Sequence, residues 1–211
     1  MTIRKVTLPY GPKSVEIRIP EKNLVGVYSP RDAAPVADIK AEIRRALASP
    51  IGALPLREQV RGRKNAVLVA DDNTRLTPTD QVIPILLDEC NAAGVPDPAI
   101  AVIIALGTHR PMTNEEILAK FGAETVRRVA IRNHPYKYPA ALVDLETTKN
   151  GRRIRINREV VEADFKMGIG SIVPHHIPGY AGGAKIIQPG VSGEETTAYT
   201  HLLSVRAPRS Y

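Results

Sequence analysis

The stretch Ala66–Arg75, AVLVADDNTR, decides the fold. Its first five residues are apolar without alternation, the pattern of a strand with both faces buried. A polar run, Asp71-Asp72-Asn73-Thr74-Arg75, then ends the strand. Residues 79–93 (TDQVIPILLDECNAA) read as a helix stopped by Gly94. Pro84 is expected to kink that helix or to lie near its first turn. The pattern then repeats. Ala101–Leu106 (AVIIAL) is a second buried strand, and Thr113-Asn114-Glu115-Glu116 is a capping box opening a helix to about Phe121. Two buried strands, each followed by a helix, predict an α/β fold: a Rossmann-like parallel sheet with right-handed crossovers.

Outward from this centre the signals are more local. Ile3 and Val6, then Val15, Ile17 and Ile19, flank Gly11-Pro12 and predict an N-terminal β-hairpin. Residues 37–48 place Ile39, Ile43, Ala46 and Leu47 on one stripe of an amphipathic helix. Downstream, Leu142–Glu146 and Arg153–Ile156 flank Lys149-Asn150-Gly151-Arg152, a hairpin turn. A short helix over 158–164 and a strand over Met167–Val173 follow. The segment PHHIPGYAGGAKIIQPGVSGEE (174–195) is dense in glycine, proline and histidine, and a helix is expected from about Gly193 to Leu203.

Composition narrows the function classes. With 211 residues, 43% of them hydrophobic, the chain can bury a core, which excludes disorder as its main state. A single cysteine excludes an intrachain disulfide and a cysteine-built metal site. Cys90 itself falls in a helical pattern and reads as packing. No apolar run reaches the roughly 18 residues of a membrane span, and there is no signal-peptide core, so a soluble cytoplasmic protein is expected. A net charge of +7 favours anionic partners without choosing among them. Seven tyrosines, two phenylalanines and no tryptophan argue against a base-stacking surface for nucleic acid. The run Arg152, Arg153, Arg155, Arg158 reads as a solvated strand face rather than a nucleic-acid groove.

Four features could carry chemistry. Asp72 and Arg75 follow the first buried strand, and open α/β sheets bind ligands outside the carboxyl ends of their strands. The alternative is a solvated turn capping the next helix. His109, in Gly107-Thr108-His109-Arg110-Pro111, would share that rim and could serve as a general acid or base, or simply be a hydrogen-bonded loop histidine. In Pro174–Lys185, at most one of His175 and His176 should face a given site. Gly182 and Gly183 let backbone N–H groups approach an anion, and Lys185 adds charge, although neither phosphate-loop pattern is present. His201 lies sixteen residues beyond Lys185, and one histidine is not by itself a metal site. His134, before Pro135, reads as a surface loop.

Together these motifs resemble the nickel-pincer lactate racemase family. Asp72-Asn73-Thr74-Arg75 is similar to the family's D-H-T-R, and residues 107–111 to its G-x-H-R-P. His175 stands ten residues before Lys185, Pro189-Gly190 follows, and Leu8-Pro9-Tyr10 matches near the N-terminus. Asn73 replaces the family's histidine, and Ala184 stands where a basic residue precedes the lysine. The resemblance covers the whole chain but only the N-terminal half of a typical member. It therefore implies that 1–211 is an N-terminal catalytic domain, with a C-terminal domain as its partner.

The resemblance also implies a cofactor, a pyridinium-3-thioamide-5-thiocarboxylic acid mononucleotide clamping nickel (Ni). Lys185 would carry it covalently, His201 would complete the nickel coordination, and Gly182, Gly183 and Asp72 would support it. His109 and His175 would be the acid–base pair on opposite faces of a 2-hydroxy acid, with Arg75 on its carboxylate. The implied reaction is racemisation or epimerisation by proton-coupled hydride transfer through a 2-keto acid. Two other readings stay open: a basic α/β module holding a nucleotide or phosphate non-covalently, and a nucleic-acid binder with steep salt dependence.

Overall fold

In the computed structural model, residues 2–205 are described, except 30, 32 and 176. The chain divides into two units, 1–37 and 38–211. The first contains an antiparallel hairpin of β1 (Ile3–Tyr10) and β2 (Lys13–Pro20), in register from Ile3↔Pro20 to Tyr10↔Lys13. Gly11, at φ 58°, supplies the backbone conformation that its two-residue turn requires.

The second unit is built on a four-stranded parallel sheet. Two helices precede it, α1 (Ile39–Ala48), capped by the Asp38 carboxylate on the Ala41 amide, and the short α2 (Leu56–Val60). Then come β3 (Ala66–Asp71), α3 (Thr79–Ala92), β4 (Ile100–Ala105), α4 (Asn114–Arg128) and β5 (Ala130–Asn133). The hairpin β6 (Leu142–Thr147) and β7 (Arg153–Asn157), helix α5 (Arg158–Glu162) and strand β8 (Phe165–Ile169) follow. Two-residue strands β9 (Pro174–His175) and β10 (Gly179–Tyr180) pair with each other, and α6 spans Glu194–Val205.

The sheet order is β5-β4-β3-β8, and every pairing is parallel. The unbroken apolar run of β3 is explained by burial on both faces. Ala66, Leu68 and Ala70 pack with Ile83, Leu87 and Phe121 of α3 and α4, whereas Val67 and Val69 pack with Ile156, Val160 and Val191. Each fully buried Val or Leu contributes about 1.5–3 kcal/mol, so the two central strands anchor the loops that leave their carboxyl ends.

Several boundaries differ from the sequence expectations. The helix expected to stop near Phe121 does break there: Gly122 adopts φ 76°, ψ 154°, after which α4 resumes to Arg128. The strand expected over Met167–Val173 runs from Phe165 to Ile169, because its register is set by pairing with Ala66–Ala70 of β3. Strand β5 carries no periodicity that marks it in sequence. His134 is not on the surface. It is 1% exposed, with Nε2 donating to the Ser192 carbonyl at 2.9 Å and Nδ1 accepting from Asn157 Nδ2 at 3.1 Å. Burial lowers its pKa from the ordinary imidazole value, so the ring is held neutral. Cys90 is buried as expected, and desolvation pushes its thiol up to about 11. Among the described residues, no helix is long and apolar enough to cross a membrane.

Candidate active site

The carboxyl ends of β3, β4 and β8 open onto one cavity of about 160 Å³. Asp72 and Arg75 reach it from the loop after β3, and His109 from the loop after β4. His175, Gly182 and Lys185 reach it from the segment after β8, and His201 from α6. Residues spread over 130 positions are thus brought together by strand ends that lie side by side. Gly183 does not line the cavity but begins the 3-10 turn Gly183–Ile186 that carries Lys185. An adjoining hollow of about 150 Å³ shares His175, Lys185 and His201. His176 lies outside the described residues.

Asp72 and His109 form a tight pair, with Nδ1 and Oδ2 2.6 Å apart. The other carboxylate oxygen of Asp72 accepts from the Thr74 amide at 3.0 Å and the Thr74 hydroxyl at 2.5 Å. Burial by itself would raise the Asp72 pKa, but the Thr74 and His109 hydrogen bonds outweigh it and hold the carboxyl below its ordinary value. An ionised Asp72 accepts, so Nδ1 of His109 donates and the lone pair of the neutral ring is on Nε2. The two loops are also tied from outside. Glu116 accepts from Arg110 at 2.6 and 2.8 Å and from Asn73 at 3.1 Å, and Arg110 foremost, with the Thr113 amide, pushes its pKa down to about 2.

Glycines bring the Lys185 turn onto the strand ends. A Cβ on Gly190 would fall on the Ile186 carbonyl and lie 2.9 Å from Ala105 Cβ. Gly182, at φ 86°, passes so close to the loop after β8 that a Cβ would meet the Ser171 carbonyl at 2.9 Å. The Gly107 amide donates to the Gly190 carbonyl at 2.8 Å and links the His109 loop to this turn. Burial first, and then the nearby Arg75 charge, lowers the Lys185 pKa, which raises the fraction of neutral, nucleophilic amine.

The other two histidines are oriented by backbone. Nδ1 of His175 accepts from the Ile177 amide at 3.2 Å, so the neutral ring carries its proton on Nε2. Nδ1 of His201 donates to the Thr197 carbonyl at 2.7 Å, which puts the lone pair on Nε2. His109 and His175 therefore present opposite tautomers, an acceptor Nε2 and a donor Nε2. Among the described residues no cluster of three or more His, Cys, Asp or Glu could by itself hold a metal. The cavity does fit a metal that arrives with most of its ligands on an organic carrier. It offers three imidazoles, one amine of lowered pKa, and the buried Thr197 hydroxyl, which makes no hydrogen bond among the described residues.

Sequence reading did not single out Ser171, Thr77 or Lys120 around this cavity. Thr77 Oγ1 lies 2.5 Å from Asp71 Oδ2 and 2.6 Å from Ser171 Oγ, tying the β3 and β8 loops beneath the site. No residue pattern signals such a contact between positions 94 residues apart. In the basic run around β7, Arg155 pairs with Asp144 and Glu195, Arg153 with Asp144 and Arg158 with Glu162, while Arg152 lies over the Tyr199 ring.

Comparison with known proteins agrees with this fold. Residues 10–211 match the lactate racemase N-terminal domain family. Two curated lactate racemases, from Thermoanaerobacterium thermosaccharolyticum and Lactiplantibacillus plantarum, are each 30% identical over 198 residues, 93% of this chain. The chain spans 46% of the length of each. The lactate racemase apoprotein structure from T. thermosaccharolyticum superposes with a TM-score of 0.84 at 29% identity, covering 98% of this chain and 48% of that one. A Thermotoga maritima crystal structure superposes with a TM-score of 0.67 at 28% identity, covering 79% and 41%.

Proposed function

The chain belongs to the lactate racemase N-terminal domain family, and from that premise we propose that it is the catalytic domain of a 2-hydroxy-acid racemase or epimerase. The observation that carries the reading is the convergence of His109, His175, Arg75, Lys185 and His201 on one cavity. Lys185 is the residue to hold a nickel-pincer nucleotide through its amine, with His201 Nε2 as the protein's ligand to nickel. When bound, that group supplies a hydride acceptor and donor, chemistry that no protein side chain provides. A Cα–H beside a carboxylate is very weakly acidic, so proton removal from it faces a high barrier. Loss of the hydroxyl proton as a hydride leaves Cα gives a planar 2-keto acid that can be reduced from either face.

The side chains have matching roles. Arg75 takes the substrate carboxylate with its planar fork. Nε2 of His109, with Asp72 behind it, accepts the hydroxyl proton of one enantiomer. His175, as an imidazolium whose Nδ1 has given up the Ile177 amide, returns its Nε2 proton to the keto oxygen, giving the other enantiomer its hydroxyl and leaving a neutral ring. After the turnover the two rings have exchanged roles, as a reaction that runs in both directions requires. Asp72 holds the His109 ring in the tautomer and orientation that present Nε2 to the substrate, as a carboxylate behind a catalytic imidazole does generally. Gly182 and Gly183 leave room for the carrier beside Lys185. A C-terminal domain, corresponding to the further length of the curated relatives, is the proposed partner that covers the cavity mouth.

The test is intact mass and nickel content of protein made in cells that synthesise the pincer nucleotide. An adduct mapped to Lys185 with about one nickel per chain, absent in Lys185→Ala, is expected, followed by racemisation of lactate or a related 2-hydroxy acid. Arg75 and Lys185 together also favour a second reading, non-covalent binding of a nucleotide or phosphate. An unmodified, nickel-free chain whose phosphate affinity survives Lys185→Ala would establish that reading and refute the first.

A further inference from the structure

The loop that carries Arg75 is held from below by one buried ammonium. Lys120, on α4, has a side chain only 8% exposed. Its Nζ donates to the Arg75 carbonyl at 2.6 Å and the Thr77 carbonyl at 3.0 Å, and lies 3.2 Å from Asp71 Oδ1. Two carbonyls accept from this ammonium, and a carboxylate oxygen lies at ion-pair distance. They come from both sides of Leu76, which is 97% exposed, and from the last residue of β3. A buried charge is costly unless it is paired and hydrogen-bonded, and these oxygens are what compensate it here.

Side chains tie the loop at either end, Asn73, Thr74 and His109 around Asp72 and Thr77 to Asp71 and Ser171, which leaves Arg75 and Leu76 between them. Between β3 and α3 the backbone makes few bonds of its own, Arg75 N–H to the Asp72 carbonyl at 3.1 Å and Thr79 N–H to the Thr77 carbonyl at 2.8 Å. The Arg75 guanidinium donates to Thr74 Oγ1 at 3.2 Å and otherwise faces the cavity, so the course of its backbone decides where it points. Helix α4 is itself seated against the start of α3. The Thr79 hydroxyl donates to the Lys120 carbonyl at 2.7 Å, and Gly122 approaches Asp80 so closely that a Cβ there would lie 3.2 Å from Asp80 Cβ. Glu116, one turn earlier on α4, holds Asn73 of the same loop.

We propose that Lys120 is a positioning residue of the site: its ammonium sets the course of Arg75–Leu76–Thr77 and thereby aims the Arg75 guanidinium at the substrate carboxylate. This rests on the reading that Arg75 binds that carboxylate. Two measurements on the same proteins separate the two statements: amide hydrogen exchange over residues 72–79, and lactate affinity from a chemical-shift titration.

In Lys120→Met, exchange over 73–77 should rise at least about tenfold while β3 and β4 keep their protection, and lactate affinity should fall about tenfold. Lys120→Arg keeps the charge, but its planar fork cannot converge on three oxygens from one atom, so effects of intermediate size are expected. It carries the test alone if the methionine variant does not fold. Unchanged loop exchange, or protection lost equally across β3 and β4, overturns the proposal, as does a loosened loop with lactate affinity intact. If wild type and Arg75→Ala bind lactate alike, the carboxylate reading fails and Lys120 has no part in the reaction. The exchange data then still decide whether the ammonium holds the loop.

Discussion

Replacing His134 by alanine tests how the Lys185 segment is anchored. The ring is 1% exposed and makes two hydrogen bonds, to the Ser192 carbonyl and from Asn157 Nδ2. Both partners are themselves buried, at 0% and 2% exposure. His134→Ala leaves each without its partner, at about 1–3 kcal/mol apiece, or about 4 kcal/mol together. For a chain of this size that lowers Tm by about 8–16 °C. Ser192 closes the turn after Gly190, so the loss should extend to the loop bearing Lys185 and to the start of α6. The effect has a definite pH dependence. The folded ring has a pKa below the ordinary 6.5, so its contribution is complete above that value and is lost as pH falls through it. The slope is at most about 1.4 kcal/mol per pH unit. Urea unfolding of both proteins at about pH 7.5 and about pH 5.5 reads it out, and the destabilisation by His134→Ala should shrink at the lower pH. A loss under about 1 kcal/mol at neutral pH, or one that grows on acidification, would show that the neutral ring is not what holds Ser192.

Two further substitutions probe the site. Asp72→Asn keeps the shape but turns an NH₂ toward His109 Nδ1, which forces the proton onto Nε2 and removes its acceptor. Racemisation by the cofactor-loaded protein should drop about 10²–10⁴-fold, with the tautomer change visible in imidazole nitrogen shifts, and an unaltered rate would remove the pair from the mechanism. Gly190→Ala sets a methyl against the Ile186 carbonyl and Ala105. Stability should fall by about 2 kcal/mol or more, and the Lys185 adduct should form more slowly. A variant with native Tm and native loading would mean that the close approach is not required.

How much of this could be read without coordinates depended on distance along the chain. The apolar runs Ala66–Ala70 and Ala101–Leu106 determined a parallel sheet, because only strands covered on both faces tolerate such runs. The capping box at Thr113 and Glu116 marked the start of α4, since it is a contact of neighbouring residues, and the end expected near Phe121 fell at the break at Gly122. The motif residues Asp72, Arg75, His109, His175, Lys185 and His201 were also legible, as matches to family motifs and as residues following strands.

Tertiary structure decided the rest. Nothing local marks β5, whose four residues are a strand because β4 offers them a ladder. His134 and Lys120 look like ordinary polar residues of a loop and a helix. Their roles come from burial beside Ser192 and Asn157, and beside the Arg75 loop, partners 23 to 58 positions away. The tautomers of the three cavity histidines were equally hidden, since each is set by a carboxylate, an amide or a carbonyl that the fold brings to one ring nitrogen. Sequence by itself determined which chemical groups the site contains. Packing determined which ring nitrogen of each neutral histidine carries the proton, because that depends on hydrogen-bond partners the chain acquires only by folding.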